Sequence, residues 1–314
     1  MIISVVCPVL NEENHIQKLI DFFNKAKPSE KELILVDGGS TDRTIEIIGK
    51  AIKQHANIIL IHNPERIVPY ALNLGIKKSS AEIIVRLDAH TEYDPEYFLK
   101  IIDTFDSVDA QIVGGPTRTT FTGEVQEAVA FAICTVFAIG DSNVHNLNYR
   151  GYTDSVTFGA WKREIFAKAG LFDQELIRNQ DDEFHYRAKS LGFKIYQNPD
   201  IKLFYYPRST LKSLFRQYFE YGLFKPLVLK KIRSGIRLRH MVPSFFFLYL
   251  MTFAVSFLSI YWLAPLSVYM ILNIYFSFVN NKRLRTKILL LLVYPTIHLG
   301  YGLGFLRGLI KNIK

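Results

Sequence analysis

The sequence predicts an α/β fold: a mostly parallel sheet with helices on both faces, followed by amphipathic interfacial helices and by transmembrane helices. Three observations carry this. Short runs rich in Ile and Val alternate with helical patterns from the amino terminus to about residue 198. Such runs fit strands buried on both faces, joined by crossover helices. Polar clusters follow the ends of these runs, where ligands bind on sheets of this kind. Finally, Val242 to Val279 holds no charged residue over 38 positions, and Ile288 to Leu306 none over 19. A bilayer core of ~30 Å takes ~20 helical residues. The second stretch fits one span, and the first fits a hairpin with Pro265 near its turn.

The elements follow in order. Residues 2–9 read as a buried strand and about 13–25 as a helix. A second strand, 32–36, ends at Asp37-Gly38-Gly39-Ser40; Ser40 or Thr41 is positioned to cap the next helix, with Asp42 in its first turn. Ile58–His62 is a third strand, and a helix over about 69–78 precedes a fourth, 82–87, ending at Asp88-Ala89-His90. Another helix begins near Asp94-Pro95-Glu96, before a fifth strand at 110–114. Residues 123–140 read as one apolar helix, 154–160 as a strand, 162–169 and 179–191 as helices, and 195–198 as a closing strand. Residues 209–240 are basic with interleaved aromatics, which suits one or two helices on a membrane surface. The expected parts are a catalytic domain over 1–208, interfacial helices over 209–241 and a membrane segment over 242–314.

Charge divides the chain the same way. From residue 202 onward stand 17 Lys and Arg against one acid, Glu220, whereas the whole chain carries 38 basic and 29 acidic residues. An acidic first part is thus joined to a basic, apolar second part. The partner expected for the second part is membrane lipid and not nucleic acid, because uncharged stretches lie beside the cations. With 49% hydrophobic residues the chain is not disordered. Cys7 and Cys134 are too few for a disulfide framework or a structural zinc site, and both are expected to be buried thiols. Met1 to Leu10 lacks basic residues and does not read as a signal peptide, so the first part is expected on the cytoplasmic side of the cell membrane. The basic flanks at 230–239 and 280–287 agree with that side, and Arg307, Lys311 and Lys314 would be reconciled with it by a last segment that is re-entrant or interfacial.

Four clusters carry chemistry. Asp37 ends a strand beside glycines that let backbone approach a ligand, and its carboxylate suits a nucleobase imide or a sugar hydroxyl; an Asp in such a turn is equally at home as a structural residue. Gly-x-Gly-x-x-Gly is absent, which argues against a dinucleotide site. Asp88 and His90, two positions apart at a strand end, can reach one divalent cation, Mg²⁺ or, with imidazole, Mn²⁺. Asn179-Gln180-Asp181-Asp182-Glu183 opens a helix, where acids gain from the macrodipole or serve as a general base. Arg216-Gln217-Tyr218 offers a guanidinium suited to diphosphate oxygens.

In this order the clusters resemble the family 2 inverting glycosyltransferases of the GT-A fold, over roughly residues 1–225. The marks are Cys7-Pro8-Val9-Leu10-Asn11-Glu12, Val36-Asp37-Gly38-Gly39-Ser40-Thr41-Asp42, Arg86-Leu87-Asp88-Ala89-His90, Phe158-Gly159-Ala160, Asn179-Gln180-Asp181-Asp182-Glu183 and Arg216-Gln217-Tyr218. Within the family the chain looks most like the membrane-anchored glucosyltransferases of succinoglycan-type exopolysaccharide assembly. The resemblance implies that Pro8, Asn11, Glu12, Asp37 and Asp88 bind the nucleotide and that Asp88 holds a metal, with His90 replacing the second Asp of Asp-x-Asp. It implies that Asp181 is the base, with Asp182 or Glu183 as substitutes. Phe158 and Gly159 would border the acceptor, and Asp182, Arg216 and Gln217 would lie toward acceptor or diphosphate. The implied partners are a UDP-sugar and a polyprenyl-diphosphate-linked saccharide. Rival readings are a polyprenyl-phosphate sugar transferase, a processive synthase and a non-catalytic nucleotide-sugar-binding subunit.

Overall fold

The structure is a computed structural model that describes residues 2–232, 238–257 and 259–313. In chain order the elements are β1 (Ile3–Val9), α1 (Ile16–Lys25), β2 (Lys31–Asp37), α2 (Thr44–Gln54), β3 (Ile58–His62), α3 (Val68–Lys78), β4 (Ile83–Arg86), β5 (Glu92–Tyr93), α4 (Tyr97–Ser107), β6 (Ile112–Gly114) and β7 (Thr117–Thr119). Then come α5 (Glu124–Ala132), α6 (Val136–Ile139), β8 (Gly151–Tyr152), β9 (Ala160–Lys162), α7 (Glu164–Ala169), α8 (Gln180–Ser190), β10 (Ile195–Gln197) and β11 (Leu203–Tyr205). The remainder is helical: α9 (Leu211–Ile232), α10 (Leu238–Met251), α11 (Ala264–Phe278) and α12 (Leu284–Ile313). The chain forms two units, one of residues 1–118 and 143–205, the other of 119–142 and 206–314.

The first unit is built on an eight-stranded sheet of order β3-β2-β1-β4-β9-β6-β10-β8. Strands β3, β2, β1 and β4 run parallel, with Val9 opposite Asp37 and Val6 opposite Arg86. Alternation along these strands feeds two cores. Val5, Cys7, Val9, Leu33 and Leu35 face one, with α1, α2 and α4. Val6, Ile34 and Val36 face the other, with α3, α7 and α8. The second core holds Trp161, Phe166, Phe172 and Phe184 with ring centroids 4.7–6.3 Å apart. A Cβ on Gly75 would come within 2.3 Å of Val6, so α3 sits closer to β1 than any side chain there would permit. A second sheet has the order β5-β11-β7.

Some expectations change. The strand expected at 154–160 is instead β9, which runs antiparallel between β4 and β6. Phe158 takes a left-handed backbone (φ 46°), which no strand accommodates. The helix after β2 begins at Thr44, because Ser40 and Thr41 are spent on Asp37 and Asn11; Asp42 Oδ1 accepts from the Thr44 amide instead. The helix expected over 123–140 breaks at Thr135, whose hydroxyl donates to the Ala132 carbonyl and accepts from the Ala138 amide. Cys7 is buried as expected, but Cys134 is exposed at that break.

In the second unit α12 is the axis. Gly300, Gly304 and Gly308, four residues apart, lie against α9: a Cβ at Gly304 would stand 2.1 Å from the Phe219 carbonyl oxygen, and one at Gly308 2.3 Å from that of Leu223. Gly222 returns the contact at Tyr301. Small residues at this spacing let two helix backbones meet. The basic helix α9 is therefore seated on α12. The other side of α12 meets α5 and α6: Leu290, Val293, Tyr294 and Ile297 pack with Ala128, Val129, Ala132 and Ile133. Glu127 pairs with Lys282 at 3.4 Å and accepts from Thr286 at 2.9 Å, and Glu124 pairs with Arg285. His298 Nε2 donates to the Phe137 carbonyl at 2.7 Å, and its Nδ1 accepts from Tyr269.

Among the described residues, two helical stretches are long and apolar enough to cross a membrane, Ile260–Phe278 and Leu284–Lys311; the apolar helix at His240–Met251 is shorter. Among the described residues of the expected hairpin at 242–279, the second limb reaches span length. Its most apolar window is 11% buried within the protein, against 50% for that of α12.

Candidate active site

The site begins where β1 and β2 end. Asn11 has a left-handed backbone (φ 55°) and joins the two loops: its amide donates to Ser40 Oγ at 2.9 Å, and its Oδ1 accepts from the Thr41 amide at 2.8 Å. Pro8 lies in β1 opposite Val36. Asp37 is buried, and its carboxylate accepts from the Gly39 amide at 2.8 Å and the Ser40 hydroxyl at 2.6 Å. Gly39 stands at φ 84°, where a side chain would be strained. The Asp37 carboxylate thus organises its own turn. Arg66, also left-handed, has its backbone within 3.5 Å of a Cβ built on Gly38 and its guanidinium equally near Gly39.

The second part forms at the end of β4. The Glu12 amide donates to Thr44 Oγ1 at 2.8 Å, and its carboxylate accepts from His90 Nδ1 at 3.0 Å. His90 thereby lies beside Glu12. The Asp88 amide donates to the Tyr93 hydroxyl at 2.8 Å. Burial pushes the Tyr93 hydroxyl and the Cys7 thiol up, and the Asp88 charge adds to both. Cys7 is a thiol under the site, not a nucleophile in it.

Arg86 links this region to α8. Its Nη1 donates to both Asp181 oxygens, at 2.9 and 2.8 Å, and its Nε and Nη2 donate to Asp88 Oδ1 at 3.3 Å. The Phe158 ring lies against the guanidinium, 5.1 Å from centroid to Cζ. The Gly159 carbonyl accepts from the Arg86 amide. Burial works against the charge on Arg86, but Asp181 and Asp88 outweigh it and raise its pKa above the ordinary value. The structure therefore brings together Asp88, Asp181, Phe158 and Gly159, and places His90 with Glu12. Asp182 shares the first turn of α8 with Asp181. Glu183 is buried and paired with Arg187 at 2.6 Å, which withdraws it from base chemistry. Arg216 and Gln217 lie on α9 in the second unit; Arg216 is exposed, and Gln217 donates to Tyr221.

Among the described residues, no group of three or more His, Cys, Asp or Glu side chains is arranged to hold a metal ion. Asp88 offers a carboxylate just after β4, its Oδ1 engaged by Arg86. Cations such as Mg²⁺ are commonly held by one or two carboxylates together with substrate phosphates. The donor set fits that arrangement and not a cage built from protein alone.

Residues 4–170 match the family described as Glycosyl transferase family 2. The chain belongs to that family. This family 2 transferase is 31% identical to the succinoglycan biosynthesis protein ExoA of Rhizobium meliloti (strain 1021) over 243 residues, 76% of this chain and 73% of that protein. It is 27% identical, over 99% of its own length and 98% of the other, to the dolichyl N-acetyl-alpha-D-glucosaminyl phosphate 3-beta-D-2,3-diacetamido-2,3-dideoxy-beta-D-glucuronosyltransferase of Methanococcus voltae. Among solved structures, the mannosyltransferase PcManGT from Pyrobaculum calidifontis in complex with GDP-Man and Mn²⁺ shares the fold with a TM-score of 0.65, at 18% identity over 98% of this chain and 87% of that one. The GT-A fold expected from the motifs is present. The chain is a glycosyltransferase with relatives in exopolysaccharide and glycan biosynthesis.

Sequence reasoning gave no role to Arg86, Arg66 or Tyr93. Arg86 belongs to the Arg86-Leu87-Asp88-Ala89-His90 motif, and its signal is a cation at the end of an otherwise apolar strand. Arg66 and Tyr93 gave no comparable signal, because their places depend on turns whose backbone geometry the sequence does not print.

Proposed function

We propose that the protein is a membrane-bound inverting glycosyltransferase that moves a sugar from a UDP-sugar to a polyprenyl-diphosphate-linked saccharide at the cytoplasmic face of the cell membrane. The observation that carries this reading is the pair of carboxylates joined through Arg86. Asp88 follows β4 and Asp181 stands in the first turn of α8, 95 residues from Arg86, yet that one guanidinium bonds both. Asp88 marks the donor end and Asp181 the acceptor end of one site. The nucleotide rests on Pro8, Asn11, Glu12 and Asp37, and Phe158 and Gly159 border the acceptor. Asp181 takes the proton of the acceptor hydroxyl. That oxygen attacks the anomeric carbon in line as the bond to the diphosphate breaks, so an α-linked donor gives a β-linked product. A divalent cation, Mn²⁺ or Mg²⁺, held by Asp88 and reached by His90, would neutralise charge on the leaving diphosphate. Arg216 and Gln217 serve the lipid diphosphate. The Methanococcus relative, matched along its whole length and named for a dolichyl phosphate-linked substrate, supports a lipid-linked acceptor. The two apolar stretches at 260–278 and 284–311 support the membrane.

The test is nucleotide release by the full chain in detergent. A panel of UDP-sugars and GDP-mannose is offered with and without a polyprenyl-diphosphate-linked monosaccharide, and with Mn²⁺ or a chelator. Release of UDP that needs one donor, the lipid and the metal is expected. Release from GDP-mannose alone would overturn the donor assignment. Release with a bare polyprenyl phosphate would favour the lipid-loading alternative, and a ladder of products the processive one. UDP binding without release under any condition would favour the non-catalytic subunit.

A further inference from the structure

We propose that Arg86 is a positioning residue that holds the base and the donor site in register and carries occupancy of one to the other. This rests on the assignment of Asp181 and Asp88 just given. Four observations support it. The Arg86 side chain is 7% exposed, so it faces the site's interior and not solvent. Its five N–H bonds fan out in a plane, and the structure uses that plane in two directions: Nη1 toward both Asp181 oxygens, Nε and Nη2 toward Asp88 Oδ1. The Phe158 ring covers one face of the plane, and Phe158 is held there by a left-handed backbone that is unfavourable for a residue with a side chain. Finally, the Asp181 side chain is 31% exposed in the first turn of α8, so burial does not fix it. Asn179, at its N-cap, is left-handed (φ 61°, ψ 20°) and makes no side-chain capping bond.

The consequence is a mechanical link. A ligand that engages Asp88 must share that carboxylate with Arg86, and any change in the Arg86 fork is felt at both oxygens of Asp181. A lysine keeps the charge but lacks the planar fork, so it cannot reproduce the pair of bonds to Asp181 together with the pair to Asp88.

Hydrogen exchange provides a test that does not need turnover. In the full chain in detergent, Arg86→Gln and Arg86→Lys should each speed exchange of amides 180–184 while leaving β1 and β2 as in the wild type. Adding UDP with Mn²⁺ should change exchange at 180–184 in the wild type and not in either variant. Unchanged exchange at 180–184 in both variants would overturn the proposal. If one variant fails to fold, the other and the wild-type response to UDP still decide. A second arm reads catalysis once a donor is known. Turnover in Arg86→Lys should fall about 100-fold or more, the scale of a lost or misplaced general base, while UDP affinity changes less than about tenfold. Turnover and affinity falling in parallel would make Arg86 a donor-binding residue only. A wild type that exchanges as described but never releases nucleotide would retire the assigned reaction and leave the clamp standing.

Discussion

In the first unit, Val5, Cys7 and Val9 point into one core while Val6, Ile34 and Val36 point into another, and helices fill both faces with side chains. In the second unit, the main contact between α9 and α12 runs where there are no side chains, along Gly300, Gly304 and Gly308. The sheet unit hides its apolar groups and presents polar loops at its strand ends. The helical unit keeps Val268, Ile271, Ile274 and Tyr275 of α11 exposed. The first unit uses apolar side chains as filling, whereas the second leaves those of α11 exposed and joins α9 to α12 through close backbone contact. The lesson is that opposite changes in volume should be damaging in the two units.

The largest expected effect breaks function in the first unit alone. Asp181→Asn should lower transfer by about 10²–10⁴-fold, the usual share of a general base, with UDP binding and retention in membranes unchanged; near-normal turnover would reject the base assignment. Next come the packing changes. Phe184→Ala removes a ring from the fully buried aromatic core and should cost about 3–5 kcal/mol, read by denaturant unfolding of the sheet unit. Gly304→Leu adds atoms where a Cβ already falls 2.1 Å from a carbonyl oxygen. It should cost about 1–3 kcal/mol or more, seen as faster proteolysis within 206–232 in detergent. Equal tolerance of leucine at Gly304 and at Gly49, which has open space around its Cβ position, would end the comparison.

Acid should act on the sheet unit in a definite direction. Burial pushes His145 down to about 4, against a backbone hydrogen bond at Thr117, and pushes His185 down against the charges of Asp181 and Asp182. Folded values below the unfolded value of about 6.5 mean that the folded state binds fewer protons. The stability due to these neutral rings is complete above about pH 6.5 and is lost as pH falls through their folded values. The unfolding midpoint should be flat above that point and fall toward about pH 4, and His145→Gln should flatten the slope. The smallest effect belongs to the ion pairs of the helical unit. Glu124→Gln should cost under about 1 kcal/mol, as exposed pairs do, and a larger loss would show that charge matters there as much as glycine packing.

Much of this was legible in advance. The strands of the first sheet half and the order of motifs could be read because both are local: a buried strand is a run, and a strand end is the residue after it. Asp88 follows from such a strand end, whereas Asp181 is singled out among three acids at a helix start by the resemblance alone. What could not be read was how they meet, since Arg86 in a strand looks like one more cation until α8 is folded over it. Residues 119–142 are another such case. Their apolar pattern was visible, but their partners lie about 155 residues further on, so nothing nearby reveals that they join the helical unit. The glycine row was in plain view at four-residue spacing, and its role followed only once α9 lay along it.

That distant pairing has a consequence for how the protein is made. Glu127 leaves the ribosome 155 residues before Lys282, its partner. At ~5–20 residues per second, the apolar segment of α5 and α6 waits roughly 8–30 s for α12 to be synthesised. During that interval β8 to β11 are made, and the segment's apolar partners in α9, Leu214 among them, appear before those in α12. Synthesis therefore leaves an apolar segment short of its native α12 contacts until the last helix arrives.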